Sequence, residues 1–158
     1  MPIRQHAEPE QAMKNIFAFV LLSALCISLG LETLSQAHST ADVVSVVQSK
    51  FKAFNAHDVS AIQQIYAADA ILHSPDYPEL TGNADIAASY KRIFDAIPDA
   101  QDTVQNIMRS DEKVIVEFVL SGHLGSADGK PINARIVSIY TVKHSHIVAD
   151  STYYDRKQ

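Results

Sequence analysis

Residues 113–155, KVIVEFVLSGHLGSADGKPINARIVSIYTVKHSHIVADSTYYD, decide the fold. Residues 114–120 and 132–142 are rich in Val, Ile, Phe and Tyr, which favour strands, and turn-forming Gly, Asp and Pro lie between them. The two runs are therefore predicted to pair as a long antiparallel hairpin. The polar link 143–146 then returns the chain into a third strand, residues 147–154. Such a three-stranded meander has one apolar face that another layer must cover.

The residues before this meander are predicted to form three helices that cover it. A first helix is expected to begin near Ala41 and to end at residues 55–58. Its apolar stripe has three- and four-residue spacing and consists of Val43, Val46, Val47, Lys50, Phe51 and Phe54. Asp58 or Ser60 caps a shorter helix, Ala61 to Tyr66. Ala84 to Ile97 forms the third helix, which stops at Pro98-Asp99.

Two further strands complete the predicted order of elements. Residues 70–73 read as a short strand, and residues 74–78 read as a loop because two prolines this close interrupt a ladder. Residues 103–109 are predicted to form a strand that leads into a turn. Helices followed by a meander predict an α+β fold, with helices on one face of a curved antiparallel sheet. Strong curvature would leave a pocket for a small ligand between the two layers.

Composition and charge predict one ordinary globular domain. The chain has 158 residues, of which 47% are hydrophobic and 20% charged, and its formal net charge is −5. The sequence has no run rich in Lys and Arg, which is the electrostatic signature of proteins that bind nucleic acid. We therefore expect no nucleic-acid partner.

The first 37 residues have the pattern of a signal peptide. Arg4 and Lys14 precede the uncharged apolar run 16–31, and Ser35-Gln36-Ala37 follows the small-x-small cleavage rule. Cleavage there would leave residues 38–158 as one exported domain, periplasmic or secreted. The alternative is a retained membrane anchor, but the run is shorter than the roughly 20 apolar residues that a spanning helix needs. We expect no stable membrane anchor after cleavage.

Cys26 is the only cysteine, and it lies inside this apolar run. Cleavage would leave the mature chain without a thiol, so a disulfide framework, a thiolate nucleophile and a Cys-based zinc site are all excluded. A lipid-modified Cys26 is the alternative. It is disfavoured by Leu25, which occupies a position where bacterial lipoprotein signals carry a small residue. Met13 is a second possible start site, and the sequence leaves the choice between it and Met1 open.

Several short segments of the sequence together resemble the SnoaL-like branch of the nuclear transport factor 2-like (NTF2-like) superfamily. In chain order they are FNAHD at 54–58, IYAADA at 65–70, HSP at 73–75, LTG at 80–82, residues 94–98, SGHLG at 121–125, Arg135, IV at 147–148 and YYD at 153–155. The resemblance implies a cone-shaped α+β barrel in which three N-terminal helices pack on a curved antiparallel sheet. It also implies a cavity for a small molecule at the open end of the cone, and a homodimer. Function stays open, because one fold of this kind hosts enzymes and pure binders alike.

The catalytic residues of characterised relatives are replaced in this chain. Ketosteroid isomerases use a carboxylate base, a tyrosine and a protonated aspartic acid, and the positions that resemble these hold Ser74, Lys50 and Ser138. SnoaL-type cyclases have an acid/base aspartate shortly after the motif around His123. The nearest match is Asn133, an amide that exchanges no proton near neutral pH. The sequence alone therefore leaves open whether the domain is an enzyme.

Other residues could still supply acid/base chemistry. His123 or His73 is a candidate acid/base, and Arg135 could polarise a substrate oxygen with Asp150 as its partner. Epoxide hydrolases of the limonene type, which resemble this fold, flank such an Arg with two carboxylates. The alternative is that Arg135 forms a structural salt bridge with Glu117 or Asp150 on a neighbouring strand. Strand alternation also predicts that Arg135 and Ser138 point to opposite faces.

A second group of residues is predicted to line the ligand pocket. It consists of Tyr66, Tyr77, Tyr90, Asn133 and Tyr154. Tyr66 and Tyr90 lie on helical stripes, so core packing is their alternative role, and Tyr77 could act as a lid. His144 and His146 lie in a hairpin turn with no third ligand in view, and we expect them to be exposed. We therefore predict no metal site and no cofactor.

Two functions from different classes fit these observations. The favoured one is an exported, non-catalytic carrier or sensor whose cavity binds a small hydrophobic molecule, because the acid positions are replaced. The alternative is a SnoaL-like enzyme of the cyclase, isomerase or hydrolase type that uses His123 or His73 as acid/base. An oriented general base should lie within about 3 Å of a carboxylate inside a closed cavity.

Overall fold

The computed structural model describes residues 43–154. Residues 43–55 are helical and are called α1, and the start predicted for this helix near Ala41 lies outside the described residues. The predicted signal peptide 1–37, Cys26 and Asp155 lie outside them as well. Among the described residues, no helix is long and apolar enough to cross a membrane. The other elements are α2 Val59–Ile65, β1 Tyr66–Ser74, β2 Tyr77–Thr81, α3 Asn83–Ala96, β3 Gln101–Ser110, β4 Lys113–His123, β5 Pro131–Lys143 and β6 His146–Tyr153.

The strands form one curved sheet in the order β2-β1-β6-β5-β4-β3. The predicted hairpin is confirmed, because β4 and β5 pair without interruption from Lys113 opposite Thr141 to His123 opposite Pro131. β6 continues the meander on the other edge of β5. One pair departs from the predicted antiparallel sheet, since β1 runs parallel to β6. The α+β class is confirmed, and the sheet is mixed.

Residues 66–81 differ from the prediction in two ways. β1 begins at Tyr66, which the sequence predicts as the end of the second helix, and it is nine residues long. The predicted loop contains the start of β2, Tyr77–Thr81, which pairs with β1. Pro78 is tolerated because β2 lies at the edge of the sheet, where one side of the strand has no ladder to complete. Local proline content was therefore a poor guide to an edge strand.

Asp58 and Gly82 immediately precede the second and third helices. The Asp58 side chain accepts a hydrogen bond of 2.9 Å from the Ala61 N–H, which confirms it as the cap of α2. Gly82 precedes α3 with φ +95°, a conformation that L side chains rarely adopt, and its N–H donates to the Ala70 carbonyl at 2.8 Å. The chain can therefore turn from β2 directly into α3.

Alternating burial along β5 shows which face of the sheet packs against the helices. The buried members of this strand are Ile136, Ser138, Tyr140 and Val142. Asn133 and Arg135 are exposed on the opposite face, so the predicted separation of Arg135 from Ser138 is confirmed. On α1, the predicted stripe contributes Val47, Lys50, Phe51 and Phe54 to the core. The inner face of the sheet is thus the face that could hold a ligand.

Candidate ligand-binding site

A pocket of about 400 Å³ lies between the helices and the inner face of the sheet. Residues from α1, α3 and all six strands line it. Its apolar and aromatic wall consists of Phe54, Leu72, Tyr77, Tyr90, Ile93, Ala96, Ile97, Phe118, Leu120, Ile132, Ala134, Ile136 and Tyr154. Its charged members and those with an aliphatic hydroxyl are Lys50, Ser74, Asp76, Ser89, Arg92, Asp102, Ser138 and Thr152. The volume and the mainly apolar wall are those of a small-molecule site.

A buried ion pair lies in the wall of this pocket. The Lys50 Nζ is 3.5 Å from the Asp102 Oδ2, and each side chain is only 2% exposed. Aromatic rings surround the ammonium, with centroids 4.2 to 5.9 Å from Nζ, and they belong to Phe51, Phe54, Tyr90, Phe118 and Tyr140. Ring faces attract a cation. They and Asp102 compensate for part of the hydration that Lys50 loses on burial.

The end of α1 holds Asp102 in this position. The Asn55 side-chain amide donates to the Asp102 carbonyl at 2.9 Å, and the Asp102 N–H donates to the Asn55 Oδ1 at 2.7 Å. The His57 Nε2 lies 2.8 Å from the Ala100 carbonyl oxygen, and the His57 ring stacks on Phe94. Lys50 and Asn55 belong to the same helix. Residues 54–58 therefore hold the start of β3 in place, and with it the Asp102 carboxyl group that faces Lys50.

Burial dominates the electrostatics of Asp102. Desolvation raises the pKa of its carboxyl, and the charge of Lys50 and the hydrogen bond to it offset only part of that rise. The Asp102 Oδ1 is buried and accepts no hydrogen bond from any residue between 43 and 154. A buried carboxylate oxygen without a donor is costly, and a ligand with a donor group could satisfy it.

A second polar network lies under the pocket, around the fully buried Asp150. The Tyr66 hydroxyl donates to the Asp150 Oδ2 at 2.6 Å, and the Thr152 hydroxyl donates to the Oδ1 at 3.2 Å. The Tyr66 and Tyr90 hydroxyl oxygens are 2.9 Å apart, and those of Ser138 and Thr152 are 2.6 Å apart. Tyr90, Ser138 and Thr152 line the pocket, so hydrogen bonds connect the pocket wall to this carboxyl.

Burial raises the pKa of the Asp150 carboxyl, although Lys50 and the hydrogen bond from Tyr66 act against the rise. Burial also raises the pKa of the Tyr66 hydroxyl well above its usual value, and the charge of Asp150 raises it further. The Tyr66 hydroxyl therefore stays protonated and donates a hydrogen bond to the Asp150 carboxylate. The network is satisfied within the protein, in contrast to the Asp102 Oδ1.

The structure places His123 outside the pocket. The ring Nδ1 of His123 lies 2.7 Å from the Asp99 Oδ2, and the backbone N–H of His123 donates to the Asp99 Oδ1 at 2.7 Å. The hydrogen bond with His123 lowers the pKa of the Asp99 carboxyl. The two side chains are 40% and 43% exposed. His123 thus has the carboxylate partner expected of an oriented base, but not the enclosed surroundings.

The other candidate acid/base residues lie mainly along a groove on the opposite face of the sheet. This outer groove has a volume of about 790 Å³, and His73, Glu117 and Arg135 are among its lining residues. The His73 Nδ1 is 3.5 Å from the Glu79 Oε2, and both side chains are about half exposed. Asp150 belongs instead to the buried inner face. The structure therefore does not bring Arg135 and Asp150 together.

The predicted pocket residues divide between the two faces. Tyr77, Tyr90 and Tyr154 lie in the pocket wall, and Tyr66 lies next to it, hydrogen-bonded to Tyr90. Asn133 lies on the outer face, because alternate residues of β5 point to opposite sides.

The positions that resemble the catalytic residues of ketosteroid isomerase meet in one place. Lys50, Ser74 and Ser138 all line the inner pocket. Asp102 was missed, since the strand was predicted to start at Thr103 and its contact with α1 is a tertiary one. One signal in the sequence did point to this site. A lysine on an otherwise apolar helical stripe becomes buried, and a buried lysine requires an acidic partner.

The histidines of the last hairpin turn are exposed, as predicted. His144 has a positive φ of 48°, and the His146 Nδ1 lies 2.8 Å from the His144 carbonyl oxygen. Within residues 43–154, no group of three or more His, Cys, Asp or Glu side chains has the arrangement of a metal site.

Comparison with solved structures identifies the same architecture in several proteins. A hypothetical protein from Catenulispora acidiphila with a ketosteroid isomerase-like fold, solved in complex with trimethylamine, is 22% identical, with a TM-score of 0.64 over 70% of this chain and 85% of that chain. An LEH-like epoxide hydrolase from M. tuberculosis is 13% identical, with a TM-score of 0.64 over 73% of this chain and 84% of that chain. A proposed SnoaL-like polyketide cyclase from Jannaschia is 15% identical, with a TM-score of 0.65 over 73% and 86%. At these identities the likeness shows the fold alone.

Sequence comparison assigns the family. No curated protein matches the chain. The family model of the SnoaL-like domain matches residues 47–149, which is more than half of the chain. The chain therefore belongs to the SnoaL-like domain family and has the NTF2-like fold.

Proposed function

We propose that the domain binds a small, mostly apolar molecule in the inner pocket. The observation that carries this proposal is an apolar cavity of about 400 Å³ whose wall contains a buried, incompletely satisfied ion pair. A cavity of this size with a few polar groups in an apolar wall is typical of small-molecule sites. The exposed His73 and His123 are not among the lining residues of this pocket, so neither supplies an acid/base group there.

The role outside the cytoplasm is part of the same proposal. The apolar run 16–31 and the cleavage motif that follows it support export, and an exported binder would act as a carrier or sensor. Family resemblance supports a homodimer. Gel filtration with light scattering would give its mass, and N-terminal sequencing of protein from the producing cell would locate the cleavage site.

Binding can be tested with N-phenyl-1-naphthylamine, a neutral apolar dye that fluoresces in apolar surroundings. We expect saturable binding at one site per domain. Ala134→Trp would fill the pocket, because Ala134 is half-buried in its wall, and should abolish the signal. Asn133→Trp is the matched control, since it adds the same side chain one residue away on the outer face. Equal loss of binding in both variants, or no saturable binding at all, would contradict the proposal.

Catalysis is a second candidate function, and one observation favours it. Asp102 lies in the pocket wall, and burial raises the pKa of its carboxyl toward the range where a general acid/base works. In an enzyme built on this pocket, Asp102 would take the acid/base role rather than His123 or His73. A molecule extracted from the native protein and incubated with fresh protein should then be converted into a product with a different chromatographic retention time, whether or not its mass changes. Asp102→Asn should stop that conversion.

A further inference from the structure

One oxygen of the pocket wall is left without a hydrogen-bond donor. The Asp102 carboxyl uses its Oδ2 to accept from the Lys50 ammonium at 3.5 Å. Its Oδ1 has no hydrogen-bond donor among the described residues, and it is shielded from solvent because the side chain is only 2% exposed. Nearly all buried polar atoms of folded proteins find a partner. Asp102 is one of the lining residues of the pocket, so a ligand that displaces the side chains covering this oxygen could supply the missing donor.

The charge around Asp102 selects against ionic ligands. Lys50 and Asp102 together form a neutral pair, so a second cation would be repelled by the ammonium and a second anion by the carboxylate. The other charged residues of the wall, Asp76 and Arg92, are exposed and of opposite sign. Transfer of an unpaired charge into a mainly apolar pocket is also costly. The site therefore fits a neutral ligand.

The pair presents an acceptor and a donor side by side. Asp102 offers its free Oδ1, and the Lys50 ammonium carries three N–H donors, of which Asp102 takes one. A hydroxyl group is both donor and acceptor, so one hydroxyl can donate to the carboxylate and accept from the ammonium. An ether or a ketone can only accept, and it would leave the Oδ1 without a donor.

The carboxyl is also held in place before a ligand arrives. Asn55 forms two hydrogen bonds with the backbone of Asp102, at 2.7 and 2.9 Å, and Lys50 holds the side chain from the same helix. A group that is fixed in advance loses little conformational entropy on binding. Asn55 is therefore a positioning residue for Asp102.

From these observations we infer that the Lys50–Asp102 pair recognises a hydroxyl group on a neutral, otherwise apolar ligand. The inference rests on the proposed binding function of the inner pocket. It adds the chemical class of the ligand, an aromatic or alicyclic alcohol, and the two residues that recognise its hydroxyl group.

Competition with the bound dye tests the inference with 1-naphthol, 1-methoxynaphthalene and 1-methylnaphthalene, which share one ring system. We expect 1-naphthol to bind at least about tenfold more tightly than either analogue, equivalent to about 1.4 kcal/mol. In the double variant Lys50→Met/Asp102→Leu, which replaces the ion pair by apolar side chains of similar size, the preference should fall to about onefold while 1-methylnaphthalene still binds.

Each other outcome has a definite meaning. Equal binding of all three compounds to the unmodified protein overturns the hydroxyl inference and leaves the binding function intact. Tighter binding of 1-naphthoate or of 1-naphthylmethylammonium than of 1-naphthol overturns the inference too, because the site would then select a charged ligand. A preference for 1-naphthol that persists in the double variant assigns recognition to other residues. Failure of the dye and of all the naphthyl compounds to bind overturns both the proposed function and the inference.

Discussion

Removal of Lys50 should destabilise the domain strongly. At 3.5 Å and an effective dielectric constant of about 20, the attraction between its ammonium and the Asp102 carboxylate is about 5 kcal/mol. Lys50→Met retains most of the apolar volume but leaves Asp102 buried without a cation. Measured losses for such broken buried pairs are about 3–5 kcal/mol, and we expect Lys50→Met to fall in that range.

Urea denaturation followed by circular dichroism would measure this loss, since the chain has no tryptophan for fluorescence. The double variant Lys50→Met/Asp102→Leu is the control. It removes both charges, so its free energy of unfolding should lie within about 1.5 kcal/mol of the unmodified protein. A loss below about 1 kcal/mol in Lys50→Met, or a double variant less stable than the single one, would refute the reasoning that the two groups are an interacting buried pair.

Four further predictions follow from the same contacts. Asn55→Ala should lower the free energy of unfolding by about 1–3 kcal/mol, measured by urea denaturation, and should reduce the preference for 1-naphthol. The reason is that the backbone of Asp102 loses both of its hydrogen bonds to Asn55. An unchanged preference would contradict the positioning role of Asn55. Tyr66→Phe should cost about 1–3 kcal/mol, since Asp150 loses its shortest hydrogen bond, and a neutral effect in the same assay would contradict this. His123→Ala should leave dye binding unchanged, and a large loss of affinity would place this residue functionally in the pocket. Burial raises the pKa of the Asp102 carboxyl in the folded protein above its unfolded value of about 3.9, so the folded protein holds this proton more tightly than the unfolded chain. The resulting stabilisation is fully present below a pH of about 3.9 and is lost as the pH rises through the folded-state pKa. Asp102→Asn should therefore flatten the decline of stability in this window, and an unchanged pH profile would show that Asp102 does not cause it.

The sequence predicted the elements whose formation depends on local patterns. Runs of β-branched residues separated by Gly and Pro predicted the β4–β5 hairpin, and the spacing of apolar residues predicted which side of α1 is buried. The sequence did not predict β2, because a proline such as Pro78 interrupts the ladder of a strand inside a sheet. Its tolerance depends on an edge position that only the tertiary structure defines.

The binding site depended more on contacts between distant segments. Alternation along β5 separated Arg135 from Ser138, but it did not reveal which of the two faces the helices. Asp102 joins the site through Lys50 and Asn55, about fifty residues earlier in the chain, and no local pattern marks such a contact. The lysine within the apolar stripe of α1 was the one residue that indicated a buried partner.

A crystal structure of the domain with bound 1-naphthol tests the central claim most directly. We predict that the ring system lies in the inner pocket and that the hydroxyl oxygen is within about 3 Å of the Asp102 Oδ1. Naphthol bound in the outer groove beside His73 and Arg135, or in the inner pocket with its hydroxyl directed away from Asp102, would contradict the claim.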